Sequence, residues 1–381
     1  ESALLLVVDG EGVRATLFVR LRNPGRETWD GPRAGVEGVV RDFGVDEGRP
    51  MDELEEGLAD ACGSSPCLWH RFGLAAAHDA LVCRALDRLR AKPRSGLLPP
   101  SRMGCPAALL SELRLSKSSW ELERMGAAIE ITREAHLAAM RAARPGRFEY
   151  EVEAEMLRVF RAGGAERVAY DSILGSGPNA TILHYRKNAR RMQEGELLLI
   201  DAGAELDYYA ADVTRTFPIS GRFTEPQRRL YELVLDAQLA AIESVRPGAT
   251  LPQIHDVAAG VITAGLVELG LLQGEPEALM EEGAHKRFYM HRTSHWLGMD
   301  VHDVGAYTVA GAARPIEPGF VLTVEPGIYV APDAEAPEEY RGLGVRIEDD
   351  LLVTPDGARN LTREIPKQVA ELERLLAQRT P

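Results

Sequence analysis

Two stretches of this chain repeat one pattern: Ala139-Met-Arg-Ala-Ala-Arg-Pro-Gly-Arg-Phe-Glu149 and Ala240-Ala-Ile-Glu-Ser-Val-Arg-Pro-Gly-Ala-Thr250. In each stretch a helix-like run ends at Arg-Pro-Gly, and a second amphipathic run follows, to Phe160 in the first copy and to Leu272 in the second. Because Pro and Gly end helices and begin turns, each copy predicts two helices joined by a turn.

Each helical pair is followed by two strand-like runs, which are Glu196–Ala202 with Tyr209–Phe217 and Phe320–Glu325 with Gly344–Val353. We interpret the repeated order as an internal duplication, in which two helix-helix-hairpin halves form one α+β domain. A capping box, with Ser and then Glu three residues later, marks the start of the first helix at residue 118 and puts the domain boundary near residue 115. We assign residues 116–381 to the duplicated domain.

Residues 1–115 predict a small N-terminal α/β domain, because short strand-like runs alternate with helical patches. The strand-like runs are Ala3–Val8 and Ala15–Val19, and the helical patches are Met51–Ala59 and His78–Leu89. A strand-like run starts almost at the first residue, which is Glu1 rather than Met. Whether the N-terminal domain is complete as given therefore stays open.

The composition is typical of a globular chain: 381 residues, 45% hydrophobic and 27% charged, with no apolar run near the ~18 residues of a membrane helix. A net charge of −14 disfavours binding to polyphosphate, and no local basic patch offsets it. The four cysteines form no CxxC pair, and no secretory leader is visible. We therefore expect a cytoplasmic protein without a nucleic-acid partner or a membrane segment.

Four acidic residues interrupt or end apolar strand-like runs, two in each half of the duplication. They are Asp201, Asp212, Glu325 and Glu348. An isolated buried carboxylate is costly, so these side chains need partners, and the symmetry of their positions lets one cavity between the halves collect all four. A metal ion is the natural counter-charge for such a cluster. Any one of these acids taken alone would more often be exposed or paired with Arg, but four in symmetric positions favour the metal.

Three histidines lie close together in His291-Arg-Thr-Ser-His-Trp-Leu-Gly-Met-Asp-Val-His-Asp-Val-Gly305, at positions 291, 295 and 302. This density is typical of a functional site. No HExxH arrangement is present, which argues against a zincin. A fourth histidine, His285, lies in the polar stretch Glu282-Gly-Ala-His-Lys-Arg287, and we interpret it as an exposed loop residue.

Over residues 116–375 the chain resembles the pita-bread metallopeptidases, which include methionine aminopeptidase, prolidase and aminopeptidase P. The ordered set Asp201, Asp212, His295, Glu325 and Glu348 matches the five metal ligands of this family one for one. The short sequence motifs around these ligands look most like those of the bacterial aminopeptidase P subgroup. They are Asp201-Ala-Gly203, Asp212-Val-Thr-Arg-Thr-Phe217, Ile182-Leu-His-Tyr185, Ser294-His-Trp296, Val324-Glu-Pro-Gly-Ile-Tyr329 and Val345-Arg-Ile-Glu-Asp349. Arg292 departs from the commonest family pattern, which has Gly there.

The resemblance implies two divalent ions, bridged by Asp212 and Glu348, with Asp201 on one ion and His295 and Glu325 on the other. Oxygen-rich ligation of this kind favours manganese, with cobalt, magnesium or zinc as alternatives. Two such ions share and activate a water or hydroxide for attack on a carbonyl.

The resemblance also implies roles for residues around the ions. Glu325 would pass a proton to the leaving amine, and His291 and His302 would donate hydrogen bonds to the substrate carbonyl and the developing oxyanion. The remaining expected contacts are His184 after the scissile bond, Tyr329 against the substrate proline and Arg346 near Glu348.

The expected activity is that of a dinuclear Xaa-Pro aminopeptidase, acting on peptides with proline in second position. Prolidase, an Xaa-Pro dipeptidase, is the nearest alternative, although Ser294-His-Trp296 favours aminopeptidase P. A pita-bread binding module that has lost catalysis is a further alternative, and retention of all five ligands argues against it. The resemblance also implies a homo-oligomer, either a dimer or a tetramer.

Overall fold

The structure is a computed structural model that describes residues 2–63 and 65–379, in two compact units, Glu1–Leu109 and Leu110–Pro381. The division falls inside a helix, Ala107–Leu115. The boundary near residue 115 inferred from the capping box remains a prediction. In the described part of the chain, no helix is both long and apolar enough to cross a bilayer.

The N-terminal unit is a mixed α/β structure whose two small sheets each contain a parallel strand pair. Its elements are β1 (Ser2–Asp9), β2 (Gly12–Val19), α1 (Pro24–Asp30), α2 (Gly35–Phe43), β3 (Glu47–Pro50), α3 (Leu54–Cys62), β4 (Cys67–Trp69), α4 (Ala76–Arg90) and β5 (Arg102–Gly104). Strand β2 pairs antiparallel with β1 and parallel with β3, and β4 pairs parallel with β5. The predicted α/β character is confirmed. Helices α3 and α4 bury Leu58, Val82 and Leu86 against each other.

The second unit begins with helices and continues with short strands. Its elements are α5 (Ala107–Leu115), α6 (Ser119–Ala142), α7 (Glu149–Ala162), β6 (Arg167–Val168), β7 (Ile173–Ser176), β8 (Leu197–Asp201), β9 (Ala204–Leu206), β10 (Tyr209–Ala210), β11 (Thr214–Pro218), α8 (Glu225–Ser244), α9 (Leu251–Glu268), α10 (Pro276–Glu282), β12 (Thr308–Val309), β13 (Ala312–Ala313), β14 (Val321–Val324), β15 (Gly327–Val330), β16 (Leu343–Arg346), β17 (Asp349–Thr354), β18 (Gly357–Asn360) and α11 (Val369–Ala377).

The duplication is confirmed by equivalent turns in the two halves. After α6 the amide of Gly146 donates to the carbonyl of Met192 (2.8 Å), and after α8 the amide of Gly248 donates to the carbonyl of Ile316 (2.9 Å). Both glycines have the positive φ that favours glycine, 90° and 88°. The Arg-Pro-Gly motif thus makes the same turn twice, and α6 and α8 pack against α7 and α9 respectively.

The strand pairs expected in each half are present. Strand β8 pairs antiparallel with β11, with Asp201 opposite Thr214, and β14 pairs antiparallel with β17, with Val324 opposite Asp349. The helices cover these sheets over a core of aliphatic and aromatic side chains from both halves. The predicted capping box at the start of α6 is formed, since Ser118 Oγ accepts from the amide of Glu121.

Candidate metal centre

Three of the four strand acids lie where a strand is interrupted. Asp212 is in the gap between β10 and β11, Glu325 is between β14 and β15, and Glu348 is between β16 and β17, while Asp201 is the last residue of β8. The sequence predicts continuous strands through residues 212 and 348, and the structure breaks both. At a break the backbone leaves the regular alternation, which lets a side chain turn into the cavity.

The four acids and His295 line one cavity of about 540 Å³ in the second unit. His295 Nε2 lies 3.3 Å from Asp212 Oδ2 and 3.4 Å from Glu325 Oε1. One ligand atom each from Asp212, His295 and Glu348 lies within 4.8 Å of the others. The fold therefore brings together residues from both halves at metal-ligand spacing.

The buried carboxylates of this cluster need positive counter-charge. Burial, followed by the charges of neighbouring carboxylates, raises the pKa of Asp212 and Glu348, and burial raises the pKa of Glu325 to about 7. Burial alone would lower the pKa of His295, but its hydrogen bond to Asp212 and the charges of Glu325 and Asp212 raise it to about 9. Without positive ions the carboxylates resist full ionisation. Hard divalent cations with oxygen ligands fit this donor set.

Arg346 braces the cluster through three hydrogen bonds and is almost fully buried. Its Nη2 donates to Asp201 Oδ2 (2.7 Å), its Nη1 to Tyr329 Oη (2.8 Å) and its Nε to Thr214 Oγ1 (3.1 Å). Thr214 Oγ1 in turn donates to Glu348 Oε2 (2.6 Å). We expected Arg346 near Glu348; its ion-pair partner is Asp201, and it reaches Glu348 only through Thr214.

His291 is linked to the same group. Its Nδ1 donates to the carbonyl of Arg292 (2.8 Å), and its Nε2 lies 2.9 Å from Tyr329 Oη. Burial lowers the pKa of His291 to about 3, so the ring is neutral and Nε2 accepts from the tyrosine hydroxyl. Donation from His291 to a substrate oxygen therefore requires that Nε2 first gain a proton.

The two remaining predicted histidines line the cavity at its exposed side. The ring of His302 lies 4.4 Å from that of His295, edge to face, and burial lowers its pKa. The side chain of His184 lines the same cavity and is exposed. All ten residues singled out from the sequence for the site are thus in or beside one cavity.

Sequence reasoning missed Tyr170, whose hydroxyl donates to Asp201 Oδ1 (2.6 Å). It also missed a largely buried network, where Asp349 accepts from Arg215 (2.7 Å) and Lys367 (2.5 Å). Arg215 also donates to the backbone carbonyl of Glu348. An arginine inside an apolar strand was the available signal for this network, whereas nothing in the sequence distinguishes Tyr170.

The expectation for His285 is wrong. This residue is 3% exposed, lies beside His255 and Tyr289, and has no hydrogen-bond partner on either ring nitrogen within the described residues. The polar sequence around it suggested an exposed loop. A short 3₁₀ turn over Ala284–Arg287 instead directs the ring inward.

A larger cavity of about 970 Å³ lies in the N-terminal unit, over residues 21–43. Its lining contains arginine and acidic side chains but neither His nor Cys. The smaller cavity, which collects four carboxylates and His295, with Asp212, His295 and Glu348 at ligand spacing, is therefore the candidate site.

Comparison with known proteins decides the family. The model of metallopeptidase family M24 matches residues 123–355, and that of the aminopeptidase P N-terminal domain matches residues 1–69. The chain belongs to metallopeptidase family M24. The family resemblance inferred from the sequence is therefore confirmed, together with the two-part fold class.

Similar proteins of this family cover nearly the whole chain. The chain is 42% identical to Xaa-Pro aminopeptidase of Escherichia coli strain K12, over 99% of this chain and 85% of that protein. It is 44% identical to Xaa-Pro aminopeptidase of Haemophilus influenzae, over 98% of this chain and 84% of that protein.

Solved structures agree with this similarity. A variant of Escherichia coli aminopeptidase P in complex with substrate matches with a TM-score of 0.95 and 41% identity, over 99% of this chain and 86% of that one. Pseudomonas aeruginosa aminopeptidase PepP matches with a TM-score of 0.93 and 46% identity, over 95% and 82% of the two chains.

Proposed function

We propose that this chain is a metal-dependent Xaa-Pro aminopeptidase, which hydrolyses the bond between an N-terminal residue and a following proline. The observation that carries the proposal is the convergence of four carboxylates and His295 on one cavity. The names of the relatives at 42% and 44% identity support the specificity for proline. Full retention of the ligand set supports an enzyme rather than a binding module.

Two divalent ions would be held by the five ligands. Asp201, Asp212, His295, Glu325 and Glu348 would supply these ligands, and ligand atoms of Asp212, His295 and Glu348 already lie within 4.8 Å of one another. When bound, such ions would supply Lewis acidity and lower the pKa of a water for attack on the peptide carbonyl. Four carboxylates among five ligands favour manganese, with cobalt, magnesium and zinc as the alternatives to be tested.

Glu325 is suited to move a proton from the attacking water to the leaving amine. Burial holds its pKa at about 7 in the absence of cations, and His291 Nδ1 lies 3.9 Å from its carboxylate. A carboxyl group near neutral pKa can both accept and return a proton. Bound cations will lower this pKa, so the group accepts the proton only as the reaction proceeds.

Hydrogen bonds from histidine would stabilise negative charge on the substrate carbonyl oxygen. His302 is free to donate into the cavity. His291 would donate only after its neutral ring changes tautomer, so that Nε2 carries the proton and no longer accepts from Tyr329. Tyr329 forms an apolar wall for the proline ring and is held by both His291 and Arg346. His184 would flank the residue after the scissile bond. The site can accept the proline ring of the substrate because an Xaa-Pro amide has no N–H that needs a hydrogen-bond acceptor.

We further propose that the protein acts in the cytoplasm on peptides and assembles as a homo-oligomer. The four cysteines are free in the described structure, which accords with a reducing compartment. The assembly is proposed on the family resemblance alone, and sedimentation velocity would measure it.

A substrate panel tests the activity. Protein reconstituted with manganese would be given Xaa-Pro, Xaa-Pro-Yaa and Xaa-Ala-Yaa, and kcat/KM would be compared. We expect the longer proline peptide to be the best substrate and the alanine peptide to be poor. Preference for the free dipeptide would make the protein a prolidase, and indifference to proline would refute both proline-specific activities.

A further inference from the structure

A second, smaller cavity adjoins the metal cavity. It has a volume of about 230 Å³ and shares three lining residues with the metal cavity: Arg292, Ser294 and Tyr307. The rest of its lining is mainly apolar or neutral, namely Leu251, Pro252, His255, Thr293, Thr308 and Ala313. The two cavities therefore meet along one short border, and Arg292 is the only charged residue of that border.

Arg292 has an exposed side chain at this border. In the part of the chain that the structure describes, its backbone carbonyl accepts from His291, but its guanidinium makes neither a hydrogen bond nor an ion pair. A second rim arginine, Arg186, differs in this respect because it pairs with Asp171 at 3.2 Å. Arg292 thus presents an uncompensated positive charge and a set of donors to whatever occupies the border.

No acidic residue lines the small cavity, and its one histidine is neutral. Burial, and then the charge of Arg292, lowers the pKa of His255 to about 4. Among the described residues, Arg292 is therefore the one charged side chain in the lining of the small cavity. A guanidinium with free donors binds a carboxylate best, often through two parallel hydrogen bonds.

The position of the border fits the downstream part of a peptide. In the proposed function the scissile carbonyl lies at the metal ligands, and the proline ring lies against Tyr329 and His291. Arg292 lines both cavities and is exposed, so a peptide that continues beyond the proline can pass this side chain. One residue extends a chain by about 3.5 Å, which keeps its carboxylate within reach of an arginine.

We infer that Arg292 and the small cavity form a subsite for a carboxylate on the residue that follows the substrate proline. This inference rests on the proposed function and deepens it. The carboxylate has two sources, the C-terminus of a tripeptide or an acidic side chain in a longer peptide. Both present the same chemistry to the guanidinium.

Two matched peptide pairs test the subsite and separate the sources. The first pair is Xaa-Pro-Ala with a free or an amidated C-terminus, and the second is Xaa-Pro-Glu amide against Xaa-Pro-Gln amide. We would measure kcat/KM for both peptides of each pair with wild type, with Arg292→Gln and with Arg186→Gln as the control. The ratio of kcat/KM for the charged peptide to that for the neutral peptide is compared between proteins, because this ratio cancels differences in metal loading.

We expect wild type to favour the charged member of at least one pair by about threefold to tenfold, the range for a charge-assisted hydrogen bond at a partly exposed site. The preference should vanish in Arg292→Gln, persist in Arg186→Gln and weaken as salt rises. A response of the first pair alone identifies the C-terminal carboxylate as the source, and a response of the second identifies the side chain.

Calorimetric binding of the same peptides to chelator-treated protein measures the subsite without turnover. Failure of wild type to hydrolyse any of the peptides would refute the proposed function, and the binding ratios would still decide the inference. Equal binding and turnover of charged and neutral peptides by wild type would overturn the subsite. Loss of the preference in Arg186→Gln to the same extent as in Arg292→Gln would also overturn it, since the preference would then come from the general charge of the rim.

Discussion

Replacing Thr214 with Val should weaken metal binding without removing any ligand. The Thr214 hydroxyl is completely buried, accepts from Arg346 Nε (3.1 Å) and donates to Glu348 Oε2 (2.6 Å). It is therefore the link between the buried arginine and a carboxylate that we propose as a metal ligand. Val keeps nearly the same shape but can make neither bond.

The size of the effect follows from the two bonds. Loss of a hydrogen bond to a charged group costs ~1.5–3 kcal/mol, and Arg346 Nε is left buried without a partner. Arg346 keeps its bonds to Tyr329 and Asp201. We therefore expect the free energy of unfolding to fall by about 2–4 kcal/mol. Loss of an outer partner of a metal ligand typically weakens metal affinity or activity by ~10–100-fold, and we expect the same range here.

Thr216→Val is the matched control. Thr216 is also completely buried, two residues along the same strand, and its hydroxyl makes two hydrogen bonds, but both are to the backbone of Arg346 (3.0 and 3.3 Å). We expect this variant to lose about 1–2 kcal/mol of stability and to bind metal like wild type.

Urea unfolding, calorimetric titration with manganese and kcat/KM would be measured on both variants. Unchanged metal affinity in Thr214→Val would refute the bracing of Glu348 by this hydroxyl. Equal losses of metal affinity in the two variants would do the same, because the effect would then reflect general loosening of the strand.

Three further outcomes are expected. Chelation should abolish hydrolysis and manganese or cobalt should restore it, so activity in metal-free protein would contradict the mechanism. His302→Ala should keep both ions by elemental analysis yet lose at least ~100-fold in kcat, whereas loss of metal would make His302 a ligand. Burial lowers the pKa of His136 to about 4, so this side chain stays neutral in the folded protein down to that pH. In the unfolded chain the same side chain takes up a proton near the ordinary histidine pKa of 6.5. The contribution of His136 to the free energy of unfolding should therefore fall by about 2 kcal/mol from about pH 7.5 to about pH 5, and other groups also titrate in this range. The change in stability between the two pH values, measured by denaturation, should accordingly differ by about 2 kcal/mol between wild type and His136→Gln, with the larger loss in wild type.

Local sequence patterns were sufficient to predict the duplicated halves. The Arg-Pro-Gly turns and the capping box of α6 depend on residues a few positions apart, and the structure forms them as expected. Four of the five candidate ligands were also recognisable, because acids that interrupt apolar strands are unusual without a shared counter-charge, and the family resemblance added His295. Their individual roles remain predictions.

Only the tertiary structure decided how these residues are braced. Thr214 and Glu348 are 134 positions apart in the chain, as are Arg215 and Asp349, yet each pair is in hydrogen-bond contact. Pairings of this kind depend on the register of strands from different halves, which no local pattern encodes. Burial of His285 likewise depends on what packs over its turn. The sequence by itself therefore determined which side chains are candidates for the chemistry, and the packing of the two halves determined their partners, because buried charges take whichever donors the fold brings within reach.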